Sequence, residues 1–398
     1  MSEKQVSDLK RSLVKFNLVE LPAIDLDGKI IAGHQRLRVL QLLGRGEEII
    51  EVRIPNRKLT KQEYNQYLLT SNAVHGDWNY DILRDFNTDL LLGIGFSEEE
   101  LAHLWDDSLE VEDDEFSVEK ELKKIRTTNI QPGDMFSLGR HKLICADSTN
   151  LNLIKKLVGK ERADIIDVDL PYNIGLNYDT GVSGKKNYGG RINDSKTDNE
   201  YQIFISKIIA SSLTVAKPDC HAFFWCDEKY VGMLQELYRQ AGINQKRLCM
   251  WLKDNQNPTP QIVFNKVTEF CLYGTRGKPY LSDKIRNLNE ILNKEVGTGN
   301  QLVDDIMDML NIWLVKRLPG NQYEHPTEKP PALYEKALRR CSKPGDIALD
   351  LCAGSGSLMI ACEQIKRTAY LSEIEPIFCQ LIINRYEKYA NKKAQKIN

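Results

Sequence analysis

The chain has 398 residues, 41% of them hydrophobic and 28% charged, with a formal net charge of −2. This is the composition of an ordinary soluble globular protein, long enough for two domains. No apolar run approaches the ~20 residues of a membrane span and the opening Met1 to Gln5 lacks the apolar core of a signal peptide, so a cytoplasmic protein is expected, and the near-neutral charge is not the footprint of a tight non-specific nucleic-acid binder.

From the N-terminus, Leu21 to Asp25, a turn at Asp27 and Gly28, and Ile30 to Gly33 predict a hairpin. His34 opens a helix carried by Leu37, Leu40 and Leu43 and stopped at Gly44. Further helical patterns cover 61–74 and 82–93, and Ser97 followed by three glutamates reads as another helix start. His34 reads as a helix-start residue rather than a metal ligand, because no His or carboxylate partner stands nearby in sequence. Residues 1–105 thus make a small α+β unit. The stretch 106–130 that follows is rich in Asp and Glu with few apolar anchors, and it reads as an acidic linker or weakly ordered segment.

Residues 131–390 carry the chemistry, and 391–398 are a tail. A strand-like run from Leu143 to Ala146 ends at Asp147 and Ser148. A second, Ala163 to Val168, runs into Asp169, Leu170, Pro171, Tyr172 and Asn173. An acid and an aromatic held by a rigid turn at a strand's C-terminal end form a small pocket. The carboxylate can accept a hydrogen bond from an exocyclic amine while the ring stacks on the same base, as in enzymes that extrude a base from the duplex. The plain alternative is a strand-ending turn with a surface tyrosine. The polar, Gly-rich stretch 176–200 is too long for an ordinary loop and reads as a lid over that pocket. A helix over 201–215 follows, then strands at 221–226, 248–251 and 269–273, which predict a mainly parallel sheet. The region 276–320 breaks the rhythm.

Near the C-terminus, Ile347 to Leu351 is an apolar run that leads into Cys352, Ala353, Gly354, Ser355, Gly356 and Ser357. The small residues allow a tight turn and close backbone approach to a ligand. Leu358, Ala361, Cys362 and Ile365 recur at helical spacing, and a strand over 368–371 leads into Glu373. An acid about 20 residues past a glycine turn is placed to accept hydrogen bonds from a ribose. No Gly-Lys-Ser/Thr phosphate loop is present, which argues against ATP. A nucleoside without phosphates fits, with S-adenosylmethionine as the candidate. The nine cysteines contain no Cys-x-x-Cys pair, so neither a metal site nor a disulfide framework is indicated. Cys145, Cys226, Cys249, Cys271 and Cys362 lie in apolar runs and read as core thiols. Local basic patches at Lys185, Lys186, Arg191, Lys253, Lys266, Arg276 and Lys278 are the candidates for DNA contact.

Residues 131–390 resemble a β-class site-specific DNA methyltransferase of the amino-methylating group, in which the catalytic motif precedes the cofactor motif. Four segments carry the likeness in the class order: Gly133 to Ser148, Asp169 to Tyr172, His325 to Pro330, and Asp350 to Ser357. The resemblance implies an α/β, Rossmann-like S-adenosylmethionine-dependent fold in permuted motif order. It implies methyl transfer to the N6 amine of a flipped adenine in double-stranded DNA. Cytosine N4 is the alternative; adenine is favoured because the motif opens with Asp169, where cytosine enzymes more often carry Ser. Residues 1–105 resemble the ParB-like domain that precedes some phage methyltransferases, with Gly33 and Arg36 in its Gly-x-x-Arg box. That likeness implies either an accessory, DNA-positioning unit or a nucleotide site. Target recognition is expected at about 276–320. Oligomeric state is left open, a homodimer included.

By the same resemblance, Asp169 orients the amine, Leu170 offers its carbonyl, Pro171 stiffens the turn and Tyr172 stacks on the base. The family usually has proline at the position of Leu170, which removes a fixed φ, and Phe where Cys352 stands. These departures motivate a second reading, an impaired or non-catalytic methyltransferase fold. Gly354 and Gly356 are expected to approach the methionine part of the cofactor, Glu373 to hold the ribose, Asp147 to reach the adenine edge and Asp350 to order the turn. Thr327 and Lys329 are expected at the cofactor carboxylate, with a solvated lysine as the equal alternative for Lys329. No metal is required.

Overall fold

Short apolar runs bounded by Gly, Pro and Asp turns become the strands of a ten-stranded sheet. In the computed structural model, the described residues are 3–73, 88–93, 96, 109, 111–125, 127–175, 195–257, 266–282, 311–315 and 329–397. They divide into two units, Met1–Ser108 and Leu109–Asn398.

The first unit holds α1 (Glu3–Phe16), β1 (Ala23–Ile24), β2 (Ile30–Ala32), α2 (His34–Leu42), α3 (Lys61–Ala73) and α4 (Thr88–Gly93). The expected hairpin is the antiparallel pair β1–β2. The Asp25 carboxylate closes its turn by accepting the backbone N–H groups of Asp27 and Lys29 at 2.9 and 2.7 Å. Leu13 of α1 and Val39 and Leu40 of α2 form its small core. Gly33 precedes α2 with φ of +97°, and a Cβ there would lie 2.9 Å from the Pro22 Cβ. The glycine is therefore required by the backbone itself.

The second unit contains α5 (Val118–Lys124), β3 (Met135–Leu138), β4 (His141–Cys145), α6 (Leu151–Val158), β5 (Ala163–Asp169), α7 (Asp198–Val215), β6 (Ala216–Cys226) and α8 (Val231–Gln240). It continues with β7 (Asn244–Asn257), β8 (Lys266–Arg276), β9 (Ile312–Leu314), α9 (Ala332–Cys341), β10 (Ile347–Asp350), α10 (Ser357–Gln364), β11 (Thr368–Glu373), α11 (Pro376–Ala390) and β12 (Gln395–Ile397). The strand order is β12-β3-β4-β11-β10-β5-β6-β8-β7-β9. The central strands β4, β11, β10, β5 and β6 are parallel. Their sequences are apolar on both faces, as a doubly covered parallel sheet requires. On one face Ile165, Phe223 and Trp225 pack with α9, α10 and α11. On the other, Ile166, Val168 and Phe224 pack with α6, α7 and α8. Local caps set the helix starts: the Asn150 side chain accepts the N–H groups of Asn152 and Leu153, and Thr197 with Glu200 forms a capping box on α7.

Three expectations are corrected. β7 and β8 do not continue the parallel sheet, because β6–β8 and β8–β7 pair antiparallel. The acidic stretch 106–130 is not a loose linker beyond Leu109, where the larger unit begins. Val111, Phe116, Val118 and Ile130 are buried in that unit, so the few apolar residues there suffice as anchors. The tail also forms structure, since β12 pairs with β3 as the sheet's edge. Of the region 276–320, residues 276–282 and 311–315 are described, and β9 extends the sheet beside β7. The five cysteines expected in the core are buried thiols. No described helix is long and apolar enough to cross a membrane.

Candidate active site

The strand order gathers the site. β4, β11, β10 and β5 lie side by side and parallel, so Asp147, Glu373, Asp350 and Asp169 all arrive at one edge of the sheet. From β10 the chain proceeds to β11 on one side, and from β5 to β6 on the other. That reversal between neighbouring parallel strands opens a crevice at their C-terminal ends. Register pairs Leu349 with Ile166, which carries Asp350 to the level of Asp167 and leaves Asp169 beyond it.

The turn after β5 is held by charge. The Lys329 ammonium lies 2.5 Å from Asp169 Oδ1 and 3.2 Å from Glu269 Oε2. It donates to the Tyr172 hydroxyl at 3.0 Å, and that hydroxyl donates to Glu269 Oε2 at 2.8 Å. Lys253 completes the set by pairing with Glu269 Oε1. The Lys329 side chain is 4% exposed, whereas 21% of the Asp169 side chain remains accessible. The ammonium also faces the rings of Tyr172 and Trp225, 5.0 and 4.9 Å from their centroids. Two lysines therefore balance two acids, the condition under which charges can be buried at all.

The electrostatics follow from this packing. Burial pushes the Asp169 carboxyl above its usual range, against the pull of Lys329. Burial also opposes ionisation of Glu269, but Lys329 and Lys253 outweigh it and hold that carboxyl down at about 2. Burial opposes the Lys329 charge, and Asp169 and Glu269 overcome it, so the ammonium is held above its ordinary value. Below them, Asp167 Oδ1 accepts the Trp225 indole N–H at 3.0 Å. Desolvation drives the Asp167 carboxyl up to about 8, against the Trp225 N–H.

The backbone of this turn has its own anchors. Leu170 is 2% exposed and packs into the opposite core, beneath α7. Pro171 O accepts the Tyr201 hydroxyl at 2.5 Å. Asn173 adopts φ of +54°, and its amide ties to Lys196 N and O at 2.6 and 2.9 Å. It thereby clamps the two sides of the stretch 176–194, which lies outside the described residues together with most of the lid reading.

The turn after β10 is held by backbone N–H groups. Asp350 Oδ1 accepts from Cys352 N at 2.9 Å. Glu373 accepts from Gly354 N at 2.8 Å and Glu375 N at 2.9 Å, so turn and acid form one unit. Burial raises the Glu373 carboxyl to about 7, against those two N–H groups. Gly356 has φ of +80°, and a Cβ there would lie 3.2 Å from Ile382. The buried Arg385 guanidinium braces the turn from α11, donating to Ser355 O, Ser355 Oγ and Ser357 Oγ at 3.1 Å each. Its other edge grips both Asp114 oxygens at 2.7 Å. Asp147 is exposed, with Oδ1 accepting Thr149 N and Oγ1 at 2.8 Å.

Asp169 and Tyr172 thus meet Lys329 at one turn, whose Leu170 and Pro171 are anchored toward α7, while Asp147, Asp350, Gly354, Gly356 and Glu373 lie at the neighbouring strand ends. Lys329 is no solvated lysine: its buried ammonium is bound at the turn after β5. Thr327 lies outside the described residues. The basic patch is largely spent on internal partners. Lys253 pairs with Glu269, Lys266 pairs with Asp227 at 2.6 Å, and Arg276 donates to the carbonyls of Lys217, Pro218 and Leu213. Lys278 donates its backbone N–H to Asp219, and Lys185, Lys186 and Arg191 lie outside the described residues. In the first unit Arg36 pairs with Glu20. Among the described residues no group of His, Cys, Asp and Glu gathers as a metal site. Sequence reasoning missed Glu269, Arg385 and Asp114, and it read Lys253 as part of a DNA-contact patch, whereas Lys253 pairs with Glu269. The available signal was a charge on an apolar face, such as Arg385 between Ile382 and Tyr386.

A family model described as a DNA methylase, of the N6/N4 methyltransferase family, matches residues 163–384, over half of the chain. The chain belongs to this family. Among its relatives, the type II methyltransferase M.HpaI of Haemophilus parainfluenzae is 23% identical over 255 residues, covering 63% of this chain and 75% of the relative. The DNA adenine methyltransferase YhdJ of Escherichia coli (strain K12) is 27% identical over 225 residues, covering 52% and 71%. Among solved structures, the M1.HpyAVI–SAM complex gives a TM-score of 0.43 at 20% identity, covering 61% of this chain and 97% of that one. The cytosine-N4-specific PvuII DNA methyltransferase gives 0.44 at 14% identity, covering 67% and 97%.

Proposed function

We propose that this member of the N6/N4 family transfers a methyl group from S-adenosylmethionine to the N6 amine of adenine in double-stranded DNA. The observation that carries the reading is the partly exposed Asp169 carboxylate, fixed beside Tyr172 by a buried lysine, on the strand next to the glycine turn.

The residues at the second turn fit the cofactor. Glu373 and Asp147 offer carboxylates, which suit ribose hydroxyls and an adenine amine and would repel phosphates. Gly354 and Gly356 let the backbone approach a ligand, and Arg385 keeps the turn from collapsing. When bound, S-adenosylmethionine supplies an electrophilic methyl carbon on a cationic sulfur. Everything else falls to this chain. Asp169 accepts one N–H of the amine and so turns the nitrogen lone pair toward the methyl carbon. The Leu170 carbonyl is the second acceptor. The Tyr172 ring, anchored through its hydroxyl, gives the base a stacking face. Glu373, Asp147 and the Gly354–Gly356 turn would hold the cofactor with its methyl group toward the oriented nitrogen, and the one proton that the alkylated nitrogen must lose would pass to solvent. Positioning of this kind can lower a barrier by several kcal/mol, about 7–11 in favourable cases.

The buried packing of Leu170 supports a working enzyme rather than an impaired one, because its side chain fixes the turn that proline fixes elsewhere in the family. Adenine is preferred over cytosine because the motif opens with Asp169 and because the relative YhdJ is an adenine methyltransferase by name. For the first unit, we favour an accessory, DNA-positioning role over a nucleotide site, since Arg36 is paired with Glu20. Target recognition is assigned to about 276–320. The test is transfer of labelled methyl groups to unmethylated DNA, with Asp169→Ala as control. Label on the DNA that disappears in the variant supports the reading, and undiminished label in the variant removes Asp169 from its role.

A further inference from the structure

We infer that Glu269 is a positioning residue for methyl transfer, holding the Tyr172 ring and, through Lys329, the Asp169 carboxylate in working register. The inference rests on the proposed methyl transfer and adds a residue that the motif does not contain.

Glu269 reaches the site because β8 runs antiparallel to β6. Trp225 pairs with Cys271, and Cys226 with Phe270, so Glu269 comes from the early part of β8 yet stands at the edge where the parallel strands end. Its two oxygens have separate duties. Oε2 accepts the Tyr172 hydroxyl at 2.8 Å and meets Lys329 at 3.2 Å, while Oε1 pairs with Lys253. The Tyr172 hydroxyl, donating to Glu269 and accepting from Lys329 at 3.0 Å, is fixed from two sides. The ring expected to stack on the base therefore has its tilt set by Glu269. The same acid draws Lys329 away from exclusive attachment to Asp169, leaving that carboxylate able to accept a substrate N–H.

Stability alone does not account for the arrangement. Buried ion clusters are often no better for stability than apolar residues of the same volume. The neighbouring strand residues Trp225, Cys271 and Trp251 are apolar and fully buried, so an apolar residue at 269 would fit the core at lower desolvation cost. What an apolar residue would not supply is an acceptor for the Tyr172 hydroxyl or a second carboxylate for Lys329.

The test compares Glu269→Gln, Lys329→Met and Tyr172→Phe with the wild type. Displacing reacting groups by about 1 Å can cost 10²-fold, so Glu269→Gln is expected to lower kcat by about 10- to 100-fold with the cofactor KM within about threefold. The groups facing Asp169 are Asp167, Tyr172, Glu269 and Lys329, and the Glu269 charge raises the Asp169 carboxyl whereas the Lys329 charge lowers it. The acid limb of the kcat profile should accordingly move to lower pH in Glu269→Gln and to higher pH in Lys329→Met. A merely structural role would not shift the acid limb in opposite directions in the two variants. Because loss of a buried acid can unfold the chain, Tyr172→Phe is the second probe. It removes only the hydroxyl that Glu269 accepts and is expected to lower kcat about fivefold or more. A wild-type kcat in Tyr172→Phe, or in folded Glu269→Gln, overturns the inference while leaving the proposed function standing. A folded wild type that transfers no methyl group overturns the proposed function first.

Discussion

The turn after β5 and the turn after β10 lie on adjacent parallel strands, yet side-chain charges hold the first and backbone N–H groups hold the second. At the first, Lys329, Glu269 and Lys253 surround Asp169 and Tyr172 in a charge-balanced cluster around the buried Lys329. At the second, Asp350 and Glu373 accept N–H groups of Cys352, Gly354 and Glu375, and Arg385 braces the far side. The difference matches the tasks assigned to them. A carboxylate that must accept one proton donor at an exact angle is steered by charges around it. A loop that must let a ligand come close is shaped by residues without side chains in the way. Arg385 and Asp114 show that even the second turn ends in a charge pair, but one placed behind the loop rather than in the crevice.

If the two turns are separable in this way, substitutions should divide cleanly between them. The largest effect is expected from Asp169→Ala, which should lower the methyl-transfer rate by about 10³-fold or more, while cofactor affinity measured by calorimetry stays within about threefold. Joint loss of both would break the comparison. Next comes Arg385→Ala. It strands the buried Asp114 carboxylate and frees Ser355 and Ser357, and leaving one member of a buried pair costs about 3–5 kcal/mol. Urea unfolding should show that loss, with weakened cofactor binding in the protein that remains folded.

Leu170 sharpens the comparison at the first turn. Leu170→Ala should cost about 2–4 kcal/mol of stability, because its side chain is buried under α7. Leu170→Pro restores the fixed φ but deletes the same contacts, so it should lower the melting temperature without raising kcat. A faster Leu170→Pro enzyme would show instead that the turn is mis-set in the natural chain.

The smallest effect concerns Glu373. Its carboxyl is raised to about 7, so it is substantially protonated at pH 6 and mostly ionised at pH 8. Ribose hydroxyls donate better to the ionised form. Cofactor affinity should therefore strengthen as pH rises from 6 to 8, by up to about tenfold, a change of ~1.4 kcal/mol. Glu373→Gln should bind more weakly and lose that slope.

Much of the site was legible in the sequence because it is local. Asp169 to Tyr172 follow a strand pattern directly, and Gly354, Gly356 and Glu373 fall within one strand-turn-helix-strand unit. What was missed depends on pairing between distant segments. Glu269 is the clearest case. Read as part of a mainly parallel sheet, a residue near the start of its strand belongs at the opposite edge from Asp169. Only the antiparallel pairing of β8 with β6 brings it to the site. Asp114 was hidden for a related reason. Its neighbours Asp113 and Glu115 give the stretch the composition of a solvated linker, and nothing local reveals that Arg385, far along the chain, neutralises one of these acids in the core. Lys329 was placed at the cofactor by likeness to a motif, and packing places its ammonium against Asp169 and Glu269 instead.

The central claim is methyl transfer to the adenine N6 amine, and nucleoside mass spectrometry tests it most directly. Unmethylated DNA would be incubated with the purified protein and S-adenosylmethionine, digested and analysed. The account predicts N6-methyladenine, absent with Asp169→Ala. Modified cytosine alone, or no modified base from folded protein that binds the cofactor, would contradict it.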